Sequence, residues 1–334
     1  MFSGGGGTIT LLTAQLPQIL SATQLISGVA RGTLTITGPG ASTLTISGDN
    51  GVSGRNFRIF DIASAGNLSI SGVTVSGAII TNRNGGAFLN AGTLTLTNST
   101  ISGNTTGSSG GGIYNGGTLT VTNSTISGNT TGSSGGGIYN GGTLTVTNST
   151  ISGNTASNGG GGINNSRNGG TLTISNSTLS GNIATAYGGG INNYSNSGTL
   201  TVTNCTLSGN SAPTAGGLQN NGTLDIANTI IANSTSGGDY FGGGTIGTNL
   251  NNLVQDGTLN DTTGNSSGSG DISGNPFLSS LASNGGPTKT MAFTSSSPSS
   301  VTSGGDATVS NAAPIFGLAH GSRLPDSNQF QHGC

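Results

Sequence analysis

Acidic side chains are the first to consider, because paired carboxyl groups carry out glycoside hydrolysis and carboxylates supply oxygen ligands for Ca²⁺. The chain has nine Asp and no Glu, and no acid lies between Asp61 and Asp225. The candidates therefore form two groups outside that stretch: Asp49 and Asp61 with Arg55 and Arg58, and Asp239, Asp256, Asp261 and Asp271. Because Asp favours turns and Arg forms surface ion pairs, we expect turn and cap chemistry at Asp49-Asn50-Gly51 and surface ion pairs for the Arg residues.

Other reactive residue types form no catalytic pattern. Cys205 and Cys334 fit neither a metal-ligand spacing nor a disulfide framework, so we expect a buried small residue and a tail thiol. His320 and His332 have no nearby Cys or acid partners and are expected to be solvated tail residues. The cluster Gly110–Gly112 is followed by no Gly-Lys-Ser/Thr, which argues against a phosphate loop. We therefore predict no catalytic residues, no metal and no cofactor.

The composition excludes several classes of protein. Of 334 residues, 65 are Gly and only 16 are charged, with a net charge of −2 and a single Lys. So much Gly argues against long helices, its clustering argues against collagen, and the lack of basic charge argues against a nucleic-acid binder. No apolar run is long enough for a transmembrane helix. The apolar stretch 8–30 has no Lys or Arg before Arg31, so it lacks the basic start of a signal peptide.

A repeat dominates the middle of the chain. Residues 93–117 and 118–142 differ only at Leu96 and Val121. A Gly-Thr-Leu start recurs with spacings of 25, 25, 28, 28 and 24 residues, at Gly92, Gly117, Gly142, Gly170, Gly198 and Gly222. A period in the twenties indicates a solenoid.

Each unit predicts three short strands. In one unit, Leu119 and Val121 alternate with Thr, and further strands are expected at Ser124–Ser127 and Gly136–Tyr139. Gly-Asn and Gly-Ser turns separate them. We predict an all-β, right-handed parallel β-helix of about nine or ten coils over residues 32–290, most regular over 92–235. Residues 1–31 are expected to form a partial coil or cap, and 291–334 an irregular tail.

Asparagines recur in phase with the repeat. One set is Asn98, Asn123, Asn148, Asn176, Asn204 and Asn228, and a second is Asn104, Asn129, Asn154, Asn182 and Asn210; a third phase holds Asn90, Asn115, Asn140 and Asn165. Asn tolerates left-handed turns, and its amide both donates and accepts hydrogen bonds. We predict structural ladders between stacked coils. Some members also fit the glycosylation motif Asn-x-Ser/Thr, but that motif does not explain the common phase.

Threonines on the opposite face of the first strand also recur in phase. They form columns of a predicted flat grid, spaced about 4.8 Å between coils and about 6.7 Å along a strand, at Thr93, Thr95, Thr97, Thr118, Thr120, Thr122, Thr143, Thr145, Thr147, Thr171, Thr173, Thr199, Thr201 and Thr203. Such Thr-x-Thr grids are typical of β-solenoid ice-binding proteins, so this face is a candidate binding surface. A simpler explanation is that Thr suits an outward β position.

The repeat resembles that of known bacterial proteins. The motif in Gly85–Asn90 and the Ile-Ser-Gly-Asn of Ile101–Asn104 resemble polymorphic outer-membrane-protein repeats. Asn275–Leu278 and Leu281–Thr288 resemble the "DPLLGPLADNGGPT" segment of secreted right-handed β-helix proteins that end in a cell-surface anchoring region. The tail after Pro298 departs from that group's pattern. The resemblance implies a secreted or bacterial cell-surface protein, here expected to be truncated at both ends.

Three functional hypotheses remain. The first is a non-enzymatic, adhesin-like scaffold whose long β surface binds an extracellular polysaccharide or a host or surface protein. The second is a polysaccharide-binding or -cleaving module that uses the Asp residues of the end coils, and the third is ice binding by the threonine grid. Uncapped end coils would also favour end-to-end self-association. No nucleic-acid partner and no transmembrane segment are expected.

Overall fold

The protein is an all-β solenoid. The computed structural model describes residues 7–10, 19–21, 33–48, 56–165, 169–194, 196–256, 259 and 271–294, and within these ranges no helix occurs. In chain order the strands are β1 (Gly7–Thr10), β2 (Ile19–Ser21), β3 (Leu34–Thr37), β4 (Leu44–Ser47), β5 (Phe60–Ala65), β6 (Asn67–Ser71), β7 (Thr74–Ser76), β8 (Ile79–Ile80), β9 (Phe88–Asn90), β10 (Thr93–Thr97), β11 (Thr100–Ser102), β12 (Thr105–Thr106), β13 (Ile113–Asn115), β14 (Thr118–Thr122), β15 (Thr125–Ser127), β16 (Thr130–Thr131), β17 (Ile138–Asn140), β18 (Thr143–Thr147), β19 (Thr150–Ser152), β20 (Thr155–Ala156), β21 (Ile163–Asn165), β22 (Thr171–Ser175), β23 (Thr178–Ser180), β24 (Ile183–Ala184), β25 (Ile191–Asn193), β26 (Thr199–Thr203), β27 (Thr206–Ser208), β28 (Leu218–Asn220), β29 (Thr223–Ala227), β30 (Ile230–Ala232), β31 (Tyr240–Gly242), β32 (Thr245–Leu250) and β33 (Leu253–Val254).

Three long parallel sheets run along the solenoid. Sheet I has nine strands in the order β3-β6-β10-β14-β18-β22-β26-β29-β32, and sheet II has ten, β1-β4-β7-β11-β15-β19-β23-β27-β30-β33. Sheet III has nine strands, β2-β5-β9-β13-β17-β21-β25-β28-β31. Each coil visits sheet III, then sheet I, then sheet II. From β5 to β33 this makes about eight turns, preceded by an incomplete coil of β2 to β4. The predicted right-handed parallel β-helix is confirmed, with about eight turns instead of nine or ten.

A fourth strand in the regular coils was not predicted. Sheet IV has five two-residue strands in the order β24-β20-β16-β12-β8. In each strand the second residue is buried, as Thr106 and Ala156 are, whereas the first points outward. With only two residues per strand, the alternation is too short to be recognised as a strand in the sequence.

The core is a column of aliphatic side chains. Leu119, Val121, Ile126 and Ile138, one coil's inward residues from the three long sheets, are all 0% exposed. Pairing in register places each above its equivalent, so that Leu119 pairs with the leucines of the neighbouring coils. A single coil cannot bury this apolar face, and stacking in register buries it completely.

Glycine is required where coils approach each other closely. Gly110 has φ +77°, and a Cβ there would lie 2.5 Å from the carbonyl oxygen of Ile113. A Cβ on Gly111 would lie 2.3 Å from the carbonyl oxygen of Gly136 in the next coil. Both contacts are too short for any side chain, so the phased Gly clusters mark corners at which the backbones of successive coils pack directly.

Asparagine ladders are confirmed, and the third phase forms an unbroken one. Each Nδ2 donates to the Oδ1 of the next coil at 2.7–2.9 Å, along Asn90, Asn115, Asn140, Asn165, Asn193 and Asn220. A second ladder has Nδ2–Oδ1 distances of 2.9–3.0 Å and follows Asn104, Asn129, Asn154, Asn182 and Asn210. Every member of both ladders is 0% exposed. Apart from the Oδ1 of Asn90 at the start of the first ladder, the amides are thus paired with one another and with backbone groups.

The set that begins at Asn98 has a different main role. All six members adopt left-handed backbone conformations with φ of 48–54°, at Asn98, Asn123, Asn148, Asn176, Asn204 and Asn228. Amide-to-amide bonds of 3.3 and 3.1 Å join Asn176, Asn204 and Asn228. Oδ1 of Asn123, in contrast, has no partner among the described residues. Asn stands at this corner, between sheets I and II, because it tolerates the left-handed turn.

A strap, residues 271–294, folds back along the solenoid instead of adding a coil. Antiparallel bridges join Leu278 to Phe293 and Ala282 to Thr290. At its base, Ile272, Leu278 and Phe293 pack against a small cluster of Ile230, Ala232 and Leu253, all outward residues of sheet II or its last strand.

The tip of the strap reaches the middle of the solenoid. Thr150 Oγ1 donates to the carbonyl oxygen of Lys289 at 2.6 Å, and Thr288 Oγ1 donates to that of Asn148 at 3.2 Å. Between base and tip, the outward Thr178 and Thr206 of sheet II are each 1% exposed. Their equivalents in the preceding coils, Thr100 and Thr125, are only half-buried. The strap therefore covers the outer face of sheet II from β30 to β19.

The ladder from Asn90 to Asn220, called the inner ladder below, should be far more sensitive to substitution than the left-handed corner asparagines of the set that begins at Asn98. We expect Asn140→Leu to lower the free energy of unfolding by about 3 kcal/mol or more, because it removes one acceptor of the Asn115 amide, leaves the Oδ1 of Asn165 without its donor and places an apolar side chain inside the ladder. Asn148→Gly, in the same unit, should change it by less than about 1 kcal/mol, since Gly accepts the left-handed backbone. Urea unfolding followed by circular dichroism measures both, and equal effects would contradict the ladder's role.

Candidate binding surface

The outward threonines of sheet I form a continuous grid. Strands β10, β14, β18, β22 and β26 pair in parallel with no shift of register, so Thr93 lies beside Thr118, Thr95 beside Thr120, and so on across the five strands. The first Thr of each strand is exposed, and the second is half-buried. The third column contains Ser175, whose Oγ lies 3.3 Å from Thr147 Oγ1. The sheet brings all fourteen predicted grid residues into one surface.

The grid has a defined end at its C-terminal side. Asp225 occupies the middle column in β29, next to Thr201. Its Oδ1 accepts a hydrogen bond of 2.7 Å from the backbone N–H of Thr248, and the pairing of β29 with β32 shifts register between Leu224 and Ile226. The carboxylate thus stabilises a bulge in the last strand and ends the flat surface.

A pair of stacked tyrosines lies on the neighbouring sheet III. The rings of Tyr114 and Tyr139 have centroids 4.8 Å apart and an interplanar angle of 6°. Burial raises the pKa of Tyr114, and the neighbouring Tyr139 raises it further. The two residues occupy the same position of successive coils, which the 25-residue repeat would have shown. Because the rings stack on each other, the pair presents ring edges to the surface.

The acid at the N-terminal side is part of a buried ion pair. Arg58 is 4% exposed, and its Nη1 donates to Asp61 Oδ2 at 2.8 Å. Its Nη2 and Nε donate to the carbonyl oxygens of Asn84 and Gly85 at 2.6 and 3.3 Å. Burial lowers the pKa of Arg58, and Asp61 opposes that shift. The ion pair expected at the surface is thus buried instead, and the bonds of Arg58 to Asn84 and Gly85 tie it to the next coil.

Two acids near the C-terminal end form a carboxyl pair. Asp256 accepts the backbone N–H of Asp239 at 2.9–3.0 Å, and Asp239 accepts that of Asp256 at 3.2 Å. Asp239 is 1% exposed and also accepts the N–H of Ser234 at 3.1 Å. Burial raises the pKa of Asp239, the charge of Asp256 adds to that rise, and the hydrogen bonds of Ser234 oppose it. Asp271 Oδ1 accepts the N–H of Asn252 at 2.7 Å. These acids therefore bind backbone N–H groups of the C-terminal turns.

Several predicted residues lie outside the described ranges, namely Asp49, Arg55, Asp261, His320, His332 and Cys334. Within the described ranges, no group of three or more His, Cys, Asp and Glu side chains is arranged to hold a metal ion. The same ranges contain no helix that is long and apolar enough to cross a membrane.

Cys205 belongs to a ladder that sequence reasoning missed. In the preceding coils the backbone N–H of one Ser donates to the Oγ of the next at 3.1 Å, along Ser99, Ser124, Ser149 and Ser177. Cys205 takes the next position: its Sγ donates to the carbonyl oxygen of Thr203 at 3.2 Å, and its N–H donates to Thr229 Oγ1 at 3.3 Å. Burial raises the pKa of this thiol to about 12, so it stays protonated and is a structural group.

Serine should replace Cys205 without loss of stability. In a Cys334→Ser background, we expect Cys205→Ser to keep the free energy of unfolding within about 1 kcal/mol, because serine fills the same position in four other coils. Cys205→Ala should lower it by about 1–2 kcal/mol, since the backbone N–H of Ser177 loses its acceptor. The thiol should react with a thiol reagent only on unfolding; rapid labelling of the folded protein would contradict its burial.

The carboxyl pair should make the C-terminal coils sensitive to pH. Because the folded pKa of Asp239 is raised, its contribution to stability is fully present below the ordinary aspartate value of about 4 and is lost as pH rises through the folded pKa. The urea midpoint should therefore fall above about pH 4, and Asp256→Asn should lessen the fall by removing the neighbouring charge. Asp225→Asn, on sheet I, is the control, and an unchanged slope in Asp256→Asn would contradict the coupling.

Comparison with known proteins agrees with this fold. Residues 35–179 match the family described as a right handed beta helix region. No curated protein matches the chain significantly in sequence. Among solved structures, the crystal structure of pectate lyase Pel9A is similar at 16% sequence identity with a TM-score of 0.34, over 98% of this chain and 84% of that one. The chain is thus a right-handed parallel β-helix whose first half carries the sequence pattern of that family.

Proposed function

We propose that this protein is a non-enzymatic scaffold of the bacterial cell surface or extracellular medium that binds a partner through the threonine grid of sheet I. The observation that carries the proposal is the unbroken register of fourteen outward threonines over five coils. Such a surface offers hydroxyl groups at fixed spacing along and across the strands. It therefore suits a partner that itself repeats.

Charge narrows the class of partner. No acid lies between Asp61 and Asp225, and the coils that carry the grid have Arg167 as their one charged residue. The grid therefore supplies hydrogen bonds and flat contact without electrostatic attraction. A neutral, hydroxyl-rich extracellular polysaccharide matches this chemistry better than an acidic one. A host or surface protein with an exposed backbone edge is the other class.

The strap supports this choice, because it is a partner already bound to a threonine face. Where it covers sheet II, Thr150 Oγ1 donates to a main-chain carbonyl oxygen. One outward threonine of this solenoid thus donates to a main-chain oxygen of the strap. The grid on sheet I presents the same type of side chain, and its first column is exposed among the described residues.

Ice is a second candidate ligand. The register between β10 and β26 gives the flat, regular Thr-x-Thr array that such a function requires, spaced by about 4.8 Å between coils. Ice binding would need no organic partner. Thermal hysteresis or inhibited ice recrystallisation at high micromolar protein distinguishes this candidate from the first.

An enzymatic function on polysaccharide would require acids that are available for chemistry. Among the described residues, Asp61 pairs with Arg58, and Asp225, Asp239, Asp256 and Asp271 accept backbone N–H groups. These engagements favour structural roles. Release of reducing or unsaturated ends from a polysaccharide panel, lost in Asp49→Asn or Asp61→Asn, would overturn the scaffold proposal.

Two substitutions that introduce the same positive charge on different sheets test whether the grid is the binding surface. Thr120 on sheet I and Thr125 on sheet II are both half-buried outward threonines of one coil. Thr120→Arg should reduce retention on immobilised neutral polysaccharides about tenfold, because the long side chain breaks the flat surface. Thr125→Arg should bind as the unchanged protein does, and both should keep their stability within about 1 kcal/mol.

The same pair is then tested for ice activity. Loss of polysaccharide binding in Thr120→Arg alone supports the scaffold, whereas loss of thermal hysteresis in Thr120→Arg alone supports ice binding. Equal effects of both substitutions would show that sheet I is not the binding surface.

A further inference from the structure

The turn of the strap is closed by one asparagine amide. Asn284 Nδ2 donates to the carbonyl oxygen of Thr290 at 3.0 Å and to Thr290 Oγ1 at 3.1 Å. Backbone bonds of 2.9 Å run both ways between Ala282 and Thr290. Gly285 follows directly, is exposed, and has φ +92°. The amide of Asn284 therefore sits at the neck of an exposed, glycine-rich turn.

An Asn-Gly pair is chemically labile when its backbone is free. The glycine nitrogen attacks the Asn side-chain carbon, and the absence of a Cβ on glycine gives that nitrogen access. The reaction requires that the glycine N–H be unengaged and that the peptide can rotate. A hydrogen-bonded or buried glycine resists it.

Six Asn-Gly pairs lie in the described part of the chain, and five are protected. The N–H groups of four glycines donate at 2.7–3.2 Å to neighbouring oxygens, at Gly85, Gly116, Gly141 and Gly222. Gly159 is buried, and the carbonyl groups of Asn158 and Gly159 both accept bonds between coils. Gly116 is exposed as well, but its N–H is bonded; Gly285 is the one glycine of the six that is exposed and, within the described residues, has no partner for its N–H.

We infer that Asn284–Gly285 is a site of spontaneous deamidation that opens the tip of the strap. The Gly285 nitrogen bonds to Asn284 Cγ, the Cγ–Nδ2 bond breaks, and ammonia leaves with the proton of the Gly285 amide. Water then opens the resulting cyclic imide at either carbonyl, which gives aspartate or isoaspartate at position 284. Water is the co-reactant, and no oxidation or reduction occurs.

Deamidation would remove the amide donor that closes the turn. A carboxylate at pH 7 accepts but does not donate hydrogen bonds, so the bond to the Thr290 carbonyl oxygen is lost and a negative charge faces that oxygen, while the Thr290 hydroxyl is left to donate in the reverse direction. The isoaspartate product also lengthens the backbone at the turn. The tip would then leave Asn148 and Thr150, while the apolar base at Leu278 and Phe293 holds the strap.

The chemical step is tested on the intact protein. After incubation at pH 8 and 37 °C, peptide mapping should show conversion at position 284 about tenfold faster than at the other five described sites. Asn284→Gln should abolish it, because the longer side chain cannot form the five-membered ring. Denatured protein should react at all six sites, which confirms their intrinsic competence. Equal rates at the six sites in folded protein, or no conversion at 284, would overturn the inference.

The rate of cleavage by a lysine-specific protease measures how often the tip of the strap opens. Lys289 is the only lysine of the chain, its carbonyl oxygen accepts from Thr150, and the N–H of Thr290 donates to Ala282. Cleavage after Lys289 should be about tenfold faster in Asn284→Asp than in the unchanged protein. Asn275→Asp adds the same charge to the strap but keeps its acceptor bond to the Phe277 N–H, so its cleavage should be unchanged. Equal cleavage of the three proteins would show that the Asn284 amide does not hold the tip.

Discussion

Each position of a coil in this solenoid faces an equivalent position in the coils on either side, so every buried group must be complementary to itself. An amide meets this condition because it donates with Nδ2 and accepts with Oδ1. The inner ladder from Asn90 to Asn220 does so at every step with no atom exposed. A carboxylate or an ammonium group would meet its own charge about 4.8 Å away. The near absence of charge from the middle of the chain follows from this constraint, as does its wealth of Asn, Thr and Ser.

The same constraint explains what happens at the two ends. The inner ladder begins at Asn90 because Ile62 occupies the preceding position, and the Oδ1 of Asn90 has no partner in the described residues. Charges return there, as the Arg58–Asp61 pair. Toward the other end, Asp225 takes a threonine position and imposes a bulge. A bulge and a charge are features that make strands poorer templates for further pairing.

The periodic part of the fold could be predicted from the sequence, because periodicity alone specifies it. The alternation of Leu119 and Val121 with threonine, and its equivalents in other units, predicted the strands. The phased asparagines predicted the ladders. The strap could not be predicted, because the contact of Thr150 with Lys289 joins residues 139 apart and leaves no periodic trace. The sequence does mark the site where the base of the strap packs: Ile230 and Leu253 replace the threonine found at that outward position in earlier coils. This change can be interpreted only once the strap is known. The interpretation of the first asparagine set was incomplete, since a left-handed corner and a side-chain ladder favour the same residue.

Threonine is common at outward positions partly because of its β-propensity. The outer faces of sheets I, II and III nevertheless differ in how regularly threonine occurs on them. On sheet III the outward residue changes from Leu89 to Tyr114, Tyr139 and Asn164. Sheet II keeps its threonines up to Thr206 and places an apolar residue only where the base of the strap packs. Sheet II thus keeps threonine both where the strap covers it, at Thr178 and Thr206, and where it is only half-buried, at Thr100 and Thr125. Sheet I keeps threonine across five coils as sheet II does, and the proposed binding function rests on this regular surface.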